Sequence, residues 1–202
     1  MAELGFREPS RQTDKKYCPA LRLAEIALLL AILAAAGLLL RQGYRRYMET
    51  VYPMKYAAFV NRAPEEYEFA PSLLFALIYT ESGFDPDAVS SADAKGLMQL
   101  TQETFDWILS LYPTEDGSGD IWDPGDNIHC GCALLRLLLD QYGTVEVALA
   151  AYNAGMGNVS GWLESGDYSH DGETLHTIPY PETDAYVRKV QRAYRIYEKL
   201  YS

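Results

Sequence analysis

The chain has 202 residues, 49% of them apolar, which is room for one domain with additions and enough greasy side chain to rule out wholesale disorder. Net charge is −11, and from residue 66 onward 22 Asp and Glu stand against 7 Lys and Arg, a local net of −15. Such a surface repels phosphate backbones, so nucleic-acid binding is excluded as a function class.

A short basic tail, residues 1–20, opens the chain and is read as cytoplasmic. It holds Cys18 behind Lys15, Lys16 and Tyr17, a context that does not suit lipid attachment. Residues 21–41 follow as a predicted transmembrane anchor. From Ile26 to Leu40 no side chain is charged, and Arg22 and Arg41 flank the run. At ~1.5 Å per helical residue this length, with its ends, crosses a bilayer. Alanines 34–36 lead into more leucine, so an uncleaved anchor is favoured over a signal peptide. A core helix would have to be covered on every face. Basic residues flank both ends and barely discriminate orientation. The acidic downstream segment tips the assignment to a single-pass protein of the cell membrane, with its tail inside and its domain on the outer side.

Residues 42–65 form a connector, helical or mixed, punctuated by Pro53. The compact domain is expected over 66–202, and its pattern is helical throughout. Pro71 opens "PSLLFALIYTES", with proline in a first turn. "QETFDWILSLY" is the next helix. "DNIHCGCALLRLLLDQYG" follows, with Asp126 or Asn127 as its expected cap and Gly143 as its stop. "TVEVALAAYNAG" is capped by Thr144 and ended by Gly155. The last helix, "ETDAYVRKVQRAYRIYEKLY", aligns Val187, Val190, Tyr194, Tyr197 and Leu200. A short ribbon is allowed for near 173–180. The fold class is therefore mostly α, one small domain behind one membrane helix. The 16 tyrosines suit either a polar groove or a core with wet edges. Cys130 and Cys132, two apart on a helix, point to different faces and read as small buried residues. His129, the one nearby candidate ligand, reads as an exposed helix residue, so no metal site is expected.

Glu81 raises the chemical question. It ends a helix that is apolar nearly all round, from Leu73 to Tyr79. A carboxyl against apolar walls resists ionising, so its pKa should rise, and an acid still protonated near neutrality is what general-acid catalysis needs. Asp85 and Asp87 read as turn and capping residues behind it.

Four separated blocks give this acid a context. They are Glu81-Ser82, then Gly96-Leu97-Met98-Gln99, then Ala151-Tyr152-Asn153-Ala154-Gly155, then Glu182-Thr183 with Tyr186-Val187. In this order, with "NIHCGCALLRLLL" between them, the set resembles the catalytic domain of soluble (Slt) type lytic transglycosylases, relatives of goose-type lysozyme. The resemblance implies a lysozyme-like fold over roughly 66–200 and peptidoglycan glycan strands as substrate. It implies Glu81 as the single catalytic acid, then base, with no cofactor. Met98 and Gln99 are implied as groove wall, Gln99 able to hydrogen-bond an acetamido sugar. Tyr152 and Asn153 are implied to face the acid, Tyr186 to bring a hydroxyl to it, and Ser82 and Ser90 to lie near the following loop. The implied product is a 1,6-anhydromuramoyl end, made without water. Two positions depart from the family: Asp93 stands where glycine is usual, and Gln102 where proline is common. Competing readings are a muramidase that admits water to the same groove, and a non-catalytic peptidoglycan-binding scaffold.

Overall fold

The computed structural model describes residues 19–62, 67–114 and 119–201. The expected cytoplasmic tail, with Cys18, falls almost entirely outside them. Eight helices are present among the described residues, in chain order, and no strand. By its contacts the chain separates into two units between Tyr47 and Met48.

The first unit is carried by α1 (Pro19–Val51), which runs unbroken through the expected anchor and into the connector. Its stretch from Arg22 is long and apolar enough to cross a membrane, and none of its most apolar window is buried. Leucines at 28, 29, 30, 33, 38, 39 and 40 all face outward.

The second unit, from Met48, contains α2 (Ala57–Val60), α3 (Pro71–Glu81), α4 (Gln102–Leu111), α5 (Pro124–Tyr142), α6 (Val145–Ala154), α7 (Met156–Glu164) and α8 (Pro181–Tyr201). At its centre lies α3. Six consecutive residues, Leu73 to Ile78, are buried, so through the middle of the helix no face reaches water. Burying each such Leu, Ile or Phe contributes ~1.5–3 kcal/mol. The amphipathic α8 covers one side of α3 through Val187, Val190, Ala193 and Tyr197. On the other side of the core, α5 packs on α6, which in turn packs on α7 and α8.

Several tyrosines serve this core. Tyr197 stacks on Phe75 at 5.7 Å between ring centroids and meets Tyr52 edge-on. Its hydroxyl donates to the Pro53 carbonyl at 3.0 Å, and the Tyr201 hydroxyl donates to the Tyr52 carbonyl at 2.6 Å. Apolar rings thus fill the core while their rim hydroxyls satisfy backbone of the connector.

Helix ends follow local chemistry, with one correction. The N-cap of α5 is Asp123, whose carboxylate accepts from the amides of Gly125 and Asp126, with Pro124 at the first helical position. Asp126 lies inside the first turn, and Asn127 is buried. Thr101 and Thr144 cap α4 and α6, and Gly143 closes α5 with a left-handed φ of 70°. Gly155 ends α6 and is directly followed by α7, a helix the sequence pattern did not single out. The ribbon allowed for near 173–180 does not form. The only β-type pairing among the described residues is a pair of isolated bridges, Val89 with Lys95 and Lys95 with Leu100.

Those bridges pin the loop between α3 and α4. Asp93 adopts a φ of 59°, which explains how it stands where a glycine is usual, since Asp tolerates this region better than most side chains. Gly131 on α5 lets this loop approach. A Cβ there would meet the Met98 sulfur at 2.3 Å. Gly131→Ala is therefore expected to destabilise the unit by ~1–3 kcal/mol, read as a lower thermal midpoint. An unchanged midpoint would show that Met98 repacks freely.

Candidate active site

Glu81 is the last residue of α3, where the buried rod reaches the surface of the core. The Tyr186 hydroxyl, from the first turns of α8, donates to Glu81 Oε1 at 2.5 Å. Burial pushes the Glu81 carboxyl from its ordinary 4.5 up to about 7, even though the Tyr186 hydrogen bond and the charge of Lys189 act the other way. Desolvation of the carboxylate therefore outweighs both favourable partners. At neutral pH a large share of the group carries a proton.

Two phenols face this acid. Burial, the Glu81 charge and the other phenol raise the pKa of Tyr186 well above its ordinary value. For Tyr152, on α6, burial and the Glu81 charge do the same. Both stay neutral hydroxyls. The Tyr152 hydroxyl donates to the Met98 carbonyl at 2.9 Å, which ties α6 to the loop beyond the acid.

Ser82 continues the chain from Glu81, and its hydroxyl donates to the Leu97 carbonyl at 2.8 Å. With Tyr152 it holds two successive carbonyls, Leu97 and Met98. Gln99 sits at a φ of 50°, an uncommon conformation for a side chain of its kind, of the sort that gathers at functional sites. Its amide nitrogen donates to the Ala88 and Gly96 carbonyls at 3.1 and 3.0 Å.

Some expected site residues are placed otherwise. Met98 is fully buried, with its sulfur against Gly131, so its side chain packs the core and does not wall a groove. Its physical reason is the approach of the loop to α5, where Gly131 leaves room for the sulfur. Ser90 accepts from the amides of Ala92 and Ala94 and braces its own turn. Asn153 is exposed and accepts from the buried Thr183 hydroxyl at 2.8 Å, joining α6 to the start of α8. Asp85 accepts from the Asp87 amide, a turn contact as its position suggested.

Asn127 is the functional-site support that the sequence reading passed over. It is 1% exposed. Its side-chain oxygen accepts from the Met98 amide at 2.8 Å, and its nitrogen donates to the Ile121 and Lys95 carbonyls at 2.9 and 3.2 Å. Gly96 is required beside it, because a Cβ there would meet the Asn127 nitrogen at 2.4 Å. Its signal lay in the "DNIHCG" segment, where an amide four residues before a glycine faces the loop.

Among the described residues, no group of three or more His, Cys, Asp or Glu could hold a metal. Cys130 and Cys132 are buried thiols, and burial, with Asp126 and Asp106 nearby, pushes the Cys130 thiol up to about 12. His129 is not the exposed residue expected: it is half-buried, with Nδ1 at 3.0 Å from the Tyr67 hydroxyl and Nε2 at 3.0 Å from the Tyr112 carbonyl. Its ring bridges two chain segments, which consumes both nitrogens.

The model of the transglycosylase SLT domain matches residues 58–174, a stretch that ends before α8. The soluble lytic murein transglycosylase of Salmonella typhimurium is 31% identical over 148 residues, covering 71% of this chain and 23% of that protein. Membrane-bound lytic murein transglycosylase C of Yersinia enterocolitica is 31% identical over 172 residues, covering 72% of this chain and 47% of that one. Among solved structures, an inactive glutamate-to-glutamine mutant of lytic transglycosylase Slt from Pseudomonas aeruginosa superposes with a TM-score of 0.67 at 32% identity, over 75% of this chain and 25% of that one. The chain thus spans about a quarter of the soluble relatives and about half of the membrane-bound one. Its folded unit has the mostly helical, lysozyme-like architecture that the four sequence blocks implied.

Proposed function

Because this chain belongs to the transglycosylase SLT domain family, we propose that it is a membrane-anchored lytic transglycosylase that cuts peptidoglycan glycan strands between N-acetylmuramic acid and N-acetylglucosamine. The observation that carries this reading is the half-buried Glu81, its carboxyl raised by desolvation to about 7 and hydrogen-bonded by Tyr186.

Protonated Glu81 gives its proton to the bridging oxygen as the bond from that oxygen to the muramic anomeric carbon breaks. The muramoyl acetamido group assists at that carbon. The 6-hydroxyl oxygen of the same sugar then bonds to the anomeric carbon and gives its proton to the Glu81 carboxylate. The acid is restored, no water is consumed, and a 1,6-anhydromuramoyl end results. Positioned general acid–base transfer of this kind contributes ~10²–10⁴-fold. Ordinary glycosidases pair two carboxylates across the bond. Here one group serves both proton transfers, and a pKa near working pH suits an alternating acid and base. The inactive glutamate-to-glutamine Slt mutant is in keeping with one essential acid.

Tyr186 and Tyr152 hold the acid and its loop, while Ser82 and Asn153 fix the chain on either side. Both protons of the Gln99 amide nitrogen go to backbone carbonyls. What Gln99 offers an acetamido sugar is therefore its carbonyl oxygen, to a sugar N–H. No cofactor or metal enters these steps. Anchoring through α1 confines the enzyme to wall next to its membrane, with the acidic unit on the outer side. The length and apolarity of α1 support the anchoring, as does the membrane-bound relative.

Digestion of purified peptidoglycan by the full chain in detergent tests the assignment. Mass spectrometry should find muropeptides one water lighter than hydrolysis products. Reducing muramic ends would identify a muramidase instead, and binding with no soluble product would identify a scaffold.

A further inference from the structure

The last turn of α3 is held at two points by one helix. Tyr186 of α8 reaches the Glu81 carboxyl, and Lys189, one turn further along α8, donates from Nζ to the Thr80 carbonyl at 3.2 Å. Thr80 immediately precedes Glu81. A helix C-terminus carries unpaired carbonyls and a partial negative charge, which favours a nearby cation and disfavours a carboxylate. No basic residue of α3 itself lies in that last turn. The cation comes from α8.

We propose that Lys189 is a positioning residue for Glu81, holding the backbone beside the acid and supplying the positive charge that the end of α3 lacks. This rests on the reading of Glu81 as the catalytic acid. The groups that face the carboxyl are Tyr186 and Lys189 from α8 and Tyr152 from α6. Both phenols are neutral, so Lys189 is the cation among them. Its charge favours the carboxylate and so restrains the rise that burial imposes on Glu81. The acid must be protonated to begin the reaction, so activity falls as pH rises through its titration. Removing Lys189 lets the acid hold its proton to higher pH and moves the alkaline limb upward. Lys189 is exposed, so salt weakens the effect.

The test is the pH profile of kcat/KM for the full chain on purified peptidoglycan, with thermal melts alongside. Lys189→Met is expected to move the alkaline limb up by about half a unit at low salt, with the fold intact. Lys189→Arg keeps a cation and should keep the limb in place. Raising ionic strength should move the limb of the unaltered protein towards that of Lys189→Met and leave that variant unmoved. A uniform loss of rate with no displacement of the limb, or no change at all, overturns the proposal. Glu81→Gln separates the two levels of the argument. If it stays active, the reading of the acid fails. If it is inactive while the Lys189→Met limb does not move, only the role of Lys189 fails.

Discussion

Glu81→Gln is expected to lower the rate of glycan cleavage by about a thousandfold while leaving the fold intact. Glutamine fills the same space and still accepts from the Tyr186 hydroxyl, so the packing at the end of α3 survives. It can neither give nor take a proton, so both transfers fail together. The same variant has a signature in stability. In the folded protein the Glu81 pKa of about 7 lies above its ordinary 4.5, because burial disfavours the charge. The unaltered protein therefore loses stability as pH rises from about 4.5 to about 7, and the loss is complete above that. Glutamine does not titrate. Glu81→Gln should match the parent near pH 4 and exceed it at pH 8 by up to about 3 kcal/mol. Parallel denaturant titrations at the two pH values check this. Equal stabilities at pH 8 would mean that the carboxyl is better solvated than its surroundings indicate.

Asn127→Ala is expected to give the largest loss of stability in the folded unit. One buried side chain satisfies the Met98 amide and the Ile121 and Lys95 carbonyls. Truncation leaves the Met98 amide and the Ile121 carbonyl unpaired away from water, while the Lys95 carbonyl still accepts from the Leu100 amide, and each orphaned buried group costs about 1–3 kcal/mol. With the cavity added, about 4 kcal/mol is expected, a drop of roughly 10 °C in thermal midpoint for a unit of this size. Activity should fall as well. The Met98 amide held by Asn127 belongs to the residue whose carbonyl receives the Tyr152 hydroxyl, so losing Asn127 loosens the loop that Tyr152 and Gln99 share. Calorimetry combined with glycan-release assays below the melting range measures both effects. A midpoint within 2–3 °C of the parent would show that water replaces the lost partners.

Sequence carried far where chemistry is local. The apolar run 73–79 marks α3 as buried, and its terminal acid follows as a group that resists ionising. Thr144 with Gly155, and Pro71 in a first turn, mark helix ends because caps and stops depend on nearest neighbours. The four ordered blocks mark Glu81, Tyr152 and Tyr186 in the sequence itself. What stayed hidden depends on partners far along the chain. Met98 is core because Gly131, 33 positions later, leaves room for its sulfur. His129 is engaged because Tyr67 and Tyr112 happen to meet it. The tyrosines at 197 and 201 serve the connector through bonds that span more than 140 positions. Lys189 looks like one more charge on an amphipathic helix until α3 is laid beside it. Asp123 displaced the expected cap because Pro124 starts the helix earlier than the apolar spacing suggested.

The proton on Glu81 can be watched directly. Carboxyl-carbon NMR of the full chain in detergent, labelled at glutamate and compared with Glu81→Gln to identify the resonance, gives its titration in the resting protein. A midpoint near 7 is the expected result, with the other glutamates titrating well below it. A Glu81 midpoint near 4.5 would contradict the account, because the group would be an ordinary carboxylate with no proton to give at neutral pH.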